Sequence, residues 1–105
     1  MSSARIVLIT HPEAGAEAFA RGLVEARLAA CVNLLRAQSV YRWEGALHSD
    51  PEVLLLVKTM APRLPELERH LARHHPYDVP ECVALEPAHV EERYQAWLSA
   101  EVPVP

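Results

Sequence analysis

Arg5 to Thr10 crowds Ile6, Val7, Ile9 and Thr10 together before His11-Pro12 stops the run, a pattern that predicts a strand followed by a turn. The period then changes. From Pro12 to Leu28, Ala16, Phe19, Ala20, Leu23 and Ala26 or Arg27 recur at helical spacing, while Glu13, Glu17, Arg21 and Glu25 hold the other side. This predicts an amphipathic helix with Pro12 in its first turn, where a missing amide hydrogen costs nothing. Ala30 to Trp43 reads as extended, apolar through Cys31-Val32 and Leu34-Leu35 and aromatic at alternate positions Tyr41 and Trp43. Gly45 permits a reversal, Ala46-Leu47-His48 resumes, and Ser49-Asp50-Pro51 interrupts before Glu52 to Thr59, the strongest strand of the chain. Together these predict a long, bent hairpin.

Pro62 and Pro65 suit the first turn of a second helix with an apolar stripe at Leu64, Leu67 and Leu71, and Pro76 ends it. His74-His75-Pro76-Tyr77-Asp78-Val79-Pro80-Glu81 follows as a rigid, extended exit, because each proline biases the residue before it away from helical dihedrals. Glu81 to Leu85 predicts a fourth strand, and Val90 to Leu98 a short terminal helix with Tyr94, Trp97 and Leu98 on one side. Val102-Pro103-Val104-Pro105 is a tail that cannot hold a ladder.

Strand, helix, strand, strand, helix, strand is the order of an α+β, ferredoxin-like (βαββαβ) unit, with both main helices on one face of an antiparallel sheet and a short C-terminal helix added. No repeat or linker divides the chain, so residues 1–105 read as a single domain. Helices on one side leave the other bare, yet Ile6 to Ile9 and Val53 to Val57 are apolar at consecutive positions, so both facings avoid water. Self-association through the sheet and its hairpin is the expected cover.

Composition narrows the function classes. The net charge is −4 with neutral histidines, and protonating all six would bring it to +2. An acidic chain without a basic cluster argues against nucleic acid. Cys31 and Cys82 lack the paired spacing of a zinc or redox motif and read as buried free thiols. The start at Met1 shows no basic leader with an apolar stretch, and no run reaches the ~20 residues of a membrane span, so we expect a cytoplasmic protein with no membrane partner. Gly-rich phosphate loops, nucleophile elbows and His-Glu-x-x-His helices are missing from the sequence, which argues against an enzyme.

Leu28 to Asn33, Ser39 to Gly45, Glu52 to Thr59, and His75-Pro76-Tyr77 with Pro80-Glu81, together with Tyr94 and Trp97, resemble the CutA divalent-cation-tolerance family in order and nearly in spacing. The resemblance runs from about Arg5 to Leu98. It implies a ferredoxin-like subunit, a homotrimer joined edge to edge through the long hairpin, an association with copper and other divalent ions, and kinship in shape with PII-like signalling proteins. The sequence departs from the family's pattern in three places. Arg36-Ala37-Gln38 replaces a bend containing Pro-Gly and is one residue shorter, which predicts a loop of different shape. Val90 stands near a usual glycine, and Ile9 stands where some bacterial relatives carry a cysteine implicated in copper binding, which weakens a thiolate site.

Candidate chemistry gathers on imidazoles. His74 and His75 are the metal-ligand candidates, with His70 able to share a helical face with His74, since neutral imidazole suits copper and zinc. The competing reading makes these rings cations that complement a helix C-terminus, and His75 can also bond backbone across the turn. His11 is read as separate from this group, and His48 and His89 as ordinary surface residues. Lys58, at the end of an apolar strand, fits an interface ion pair with Glu52, Glu81 or a neighbour's Glu44. Alternatively, Lys58 lines a cleft between subunits with Tyr41, Trp43, Glu52, Tyr94 and Trp97, receiving a small anionic ligand. The leading expectation is a non-enzymatic, trimeric, copper-binding protein of metal tolerance. The alternative is a PII-like small-ligand sensor or protein-interaction scaffold using inter-subunit clefts.

Overall fold

The computed structural model describes residues 3–104; Met1, Ser2 and Pro105, the ends of the expected leaderless start and tail, lie outside the described residues. Strands β1 (Ala4–His11), β2 (Cys31–Trp43), β3 (Ala46–Met60) and β4 (Val83–Leu85) form one antiparallel sheet in the order β2-β3-β1-β4. Between them run α1 (Ala16–Glu25) and α2 (Leu64–His74), and α3 (Glu92–Glu101) follows β4. This is the expected βαββαβ order with an added terminal helix.

Alternation decides which face each strand residue serves. Val7 and Ile9 of β1 and Val53, Leu55 and Val57 of β3 are buried against Phe19 and Leu23 of α1 and Leu67 and Leu71 of α2. Both helices therefore lie on one side of the sheet. Ile9 is fully buried in this core, so its position points among the helices. On the opposite side, α3 covers only one end, where Leu98 and Val102 pack on Ala4 and Met60 with Ala30 and Val90 beside them. Val90 fills that small second core in place of the expected glycine. The rest of this face carries Leu8, Leu54 and Leu56, half-buried, and Leu35, Val83 and Leu85, exposed.

Three boundaries differ from the sequence expectation. α1 begins at Ala16, because Pro12 to Ala14 form a turn closed by Gly15 in the left-handed region at φ 84°, where glycine adopts the conformation without a Cβ penalty. The Ser49-Asp50-Pro51 break is absent: β3 runs through it, and Pro51 pairs with Gln38 beyond His11–Val53, where β1 stops. With one neighbour instead of two, a residue without an N–H is tolerated there. Arg36-Ala37-Gln38 likewise forms no loop and pairs with Val53, Glu52 and Pro51 within β2. The hairpin thus projects past the sheet as a two-stranded arm from Ala37–Glu52 to Trp43–Ala46. Its tip, Glu44-Gly45, has φ of 50° and 81°, the pair of positive values a type I′ turn requires.

Candidate functional site

Pro76 sets the site's first element. It holds His75 extended at φ −83° and ψ 138°, so α2 ends there with the His75 amide still bonded to the Leu71 carbonyl at 2.9 Å. The imidazole is then directed inward, 8% exposed. Its Nε2 lies 2.8 Å from the Thr10 carbonyl, and its Nδ1 lies 3.1 Å from the Tyr77 amide. A carbonyl only accepts and an amide only donates, so the ring is the neutral tautomer with Nε2–H donating and Nδ1 accepting. Both nitrogens are committed. In this structure His75 bonds backbone through both ring nitrogens, the role the sequence offered beside that of a ligand.

Around it stands an imidazole cluster. The His11 ring is buried 4.9 Å from that of His75, and Phe19 lies 5.1 Å from His11 and 5.8 Å from His70. His11 therefore belongs to this group, contrary to the sequence reading. The rings of His70 and His74 meet at a tilt of 44° with centroids 4.4 Å apart, as an i,i+4 pair on a helix permits. Burial pushes the His75 imidazole below its ordinary pKa, a shift that the bond to Thr10 partly offsets. His70 is lowered too, first by burial and then by His74 and Arg73. Among the described residues no three His, Cys, Asp or Glu side chains are grouped to hold a metal ion.

Two residues on, Tyr77 donates from its hydroxyl to Glu52 Oε2 at 2.6 Å. This closes a cleft of about 600 Å³ under the hairpin arm, lined by Tyr41, Trp43, Glu52, Tyr77, Asp78 and Glu81 among others. Tyr41 donates to Asp50 at 2.7 Å and stacks on His48 across the arm at 5.3 Å, so His48 is more than a surface residue. Both phenols are pushed above the ordinary tyrosine pKa, Tyr41 mainly by its bond to Asp50 and Tyr77 mainly by burial with Glu52 next. Tyr77 and Asp78 received no cleft role from the sequence; the signal was the proline pair flanking them, which fixes the segment facing the arm.

Lys58, Tyr94 and Trp97 lie elsewhere in the subunit. Six residues along β3 from Glu52, roughly 20 Å at about 3.3 Å per residue, Lys58 Nζ donates to Asn33 Oδ1 and sits 3.8 Å from Cys31 Sγ. Tyr94 faces the same cysteine, and its ring is 5.4 Å from that of Trp97. Within one subunit the six cleft candidates thus separate into two groups, and Lys58 forms no ion pair among the described residues. Both cysteines are free and half-buried rather than buried, with burial raising the Cys82 thiol.

A sequence model described as CutA1 divalent ion tolerance protein matches residues 5–101. The chain belongs to that family. It is 48% identical over 95 residues to the divalent-cation tolerance protein CutA of Thermus thermophilus, covering 89% of this chain and 92% of that one. The solved structure of CutA from Synechococcus elongatus superimposes with a TM-score of 0.92 at 37% identity, over 97% of this chain and 92% of that chain. A Nostoc structure, described as a PII-like protein CutA in apo form, gives 0.90 at 32% identity, covering 96% and 99%. The CutA family is named for tolerance of divalent ions rather than for a reaction, and no helix among the described residues is long and apolar enough to cross a membrane.

Proposed function

We propose that this chain is a non-enzymatic divalent-cation-binding protein of metal tolerance, with copper the favoured ion, and that residues 1–105 act as one CutA-type domain. The carrying observation is the close pair His70 and His74, ring centroids 4.4 Å apart and tilted at 44° at the end of α2, with no hydrogen-bond partner for either among the described residues. Neutral imidazoles so placed offer lone pairs to a borderline ion near neutral pH. Two donors make an incomplete shell that water or another copy completes. His74 is retained from the sequence reading, and His70 replaces His75 as its companion. Calorimetric titration of copper(II) and zinc(II) tests this: a His70→Ala/His74→Ala double variant should lose binding, and His75→Ala should lose stability while keeping it. Undiminished binding by the double variant overturns the assignment.

The working unit is a homotrimer in the cytoplasm. Leu8, Leu35, Leu54, Leu56, Val83 and Leu85 leave an apolar face that α3 does not reach, and unpaired cysteines suit a reducing compartment. Leu56→Glu should convert the sedimenting species to monomer. A wild-type chain that stays monomeric at micromolar concentration rejects the assembly.

A second reading is favoured by the cleft under the arm: a sensor or scaffold that takes a small ligand there, whether or not metal binds at α2. Lys58 stands outside that cleft in its own subunit, so in the trimer it would reach the cleft only from a neighbouring copy.

A further inference from the structure

Glu52, Leu54, Leu56 and Lys58 stand at alternate positions of β3, so all four face the side of the sheet away from α1 and α2. A carboxylate and an ammonium thus bracket two leucines in one row, roughly 20 Å apart at about 3.3 Å per residue. Neither charge is matched within the subunit. Glu52 is 7% exposed, and its bonded partner is the neutral Tyr77 phenol at 2.6 Å. Lys58 donates to the side-chain amide oxygen of Asn33, which is neutral too. No ion pair involves either residue among the described residues. A carboxylate removed from water is costly until an opposite charge meets it, and a lone hydroxyl offsets only part of that cost.

A second copy of the chain carries what the single subunit lacks. Leu8, Leu35, Leu54 and Leu56 leave this same face apolar beyond the reach of α3, so it is the face on which copies meet. Lys58 is the chain's sole lysine. Residues opposite one another in neighbouring strands share a face, so Arg5 beside Thr59, Arg36 beside Val53 and Arg42 beside Leu47 all take the other facing. The one lysine or arginine that the strands bring to the contact is therefore Lys58. Glu52 borders a cavity of about 600 Å³, which leaves a way in for a long side chain from outside the subunit. In a closed ring of head-to-tail contacts, each copy gives its Lys58 to one neighbour and receives the other neighbour's at Glu52.

We infer that Lys58 of one copy pairs with Glu52 of the next, which makes the cleft under the arm a site built by two copies. The inference rests on the trimer reading above and names the residue that the neighbour contributes. Tyr77 holds Glu52 Oε2, and Oε1 is left to the ammonium. Removing either partner strands the other charge in the contact, which costs more than the intact pair contributes.

A double-mutant cycle on the full chain tests the pair, read by sedimentation over a dilution series at a fixed urea concentration that partly dissociates the wild type. Lys58→Met and Glu52→Gln should each raise the concentration for half-assembly at least tenfold. The double variant should be no worse than Lys58→Met alone. Sites this far apart in one subunit, with no shared partner, give losses that add, so the missing additivity reports a contact between copies. Lys58→Glu should abolish assembly, and Lys58→Glu with Glu52→Lys should regain it. If the Glu52 variants fail to fold, carbodiimide coupling of a refolded mixture of isotope-labelled and unlabelled wild-type chains decides. A Lys58–Glu52 amide that bridges labelled and unlabelled peptides supports the pair, and Lys58 coupled to any other carboxylate, or to none, overturns it. Additive losses, or Lys58→Met assembling as the wild type does, overturn the pair and leave the trimer standing. A wild-type chain that is monomeric at micromolar concentration overturns the trimer and the pair together.

Discussion

His75 ties α2 to β1 through Thr10: the imidazole Nε2–H donates to the Thr10 carbonyl at 2.8 Å, across 65 residues of sequence. Because the other nitrogen accepts the Tyr77 amide, one ring anchors the helix end, the central strand and the segment that floors the cleft. Removing it strands a half-buried carbonyl and opens a void beside Phe19. His75→Ala should cost about 2–3 kcal/mol, the sum of an unpaired group and lost packing. Exposed His74, one residue away, should cost under about 0.5 kcal/mol when replaced by alanine. Urea midpoints distinguish the two; equal losses would contradict the bonding pattern.

The same ring gives stability a pH dependence of definite sign. In the folded protein burial lowers the proton affinity of His75, and of His70 to a lesser degree of burial, while the unfolded chain titrates near pKa ~6.5. Just below that value the unfolded state holds more protons than the native one, so stability rises with pH across the window. It should be complete above about pH 6.5 and decline as the pH falls through the lowered folded values. Urea unfolding at pH values on both sides of ~6.5 checks this, and His75→Phe should flatten the slope in that interval. A stability that rises on acidification there would reverse the assignment.

Thr59 offers a cleaner single bond. Fully buried on β3, it donates from Oγ1 to the Leu28 carbonyl at 2.7 Å, pinning the turn between α1 and β2 to the sheet. Thr59→Val keeps the shape but leaves that carbonyl unpaired, and should lose about 1–2 kcal/mol by thermal or urea unfolding. A neutral effect would mean that water or a backbone shift replaces the hydroxyl.

How far the sequence carried the fold depends on the range of the forces involved. Val53, Leu55 and Val57 declare their facing by period alone, and Leu67 and Leu71 theirs by helical spacing, because burial of a whole face is written into each residue's own identity. Pro51 misled because its penalty depends on whether a strand lies on both sides, a tertiary fact. His11 misled for a similar reason: only the β1–β3 register and the Pro76 bend bring it to His75. Proline's local rule did foretell that His75 would leave the helix and bond backbone. Lys58 and Tyr41 read as partners across a cleft between subunits, and within one subunit the length of the continuous β3 keeps them apart.

The arm's tip provides a test at a distance from every core. Glu44 holds φ 50° and precedes Gly45 at φ 81°, and an L-residue other than glycine or asparagine pays about 1 kcal/mol or more for the left-handed region because its Cβ crowds the following carbonyl. Asparagine tolerates that conformation, and Asn-Gly is the preferred pair for this turn. Among the described residues Glu44 makes no side-chain hydrogen bond or ion pair that replacement would remove. Glu44→Asn should therefore stabilise the arm by several tenths to about 1 kcal/mol. Amide exchange of the Trp43 to Ala46 ladder should slow correspondingly, since that ladder opens by fraying from the tip. Global unfolding should move less than the local exchange, because the arm pairs only β2 with β3. Faster exchange in the variant would show that the tip leaves the type I′ conformation.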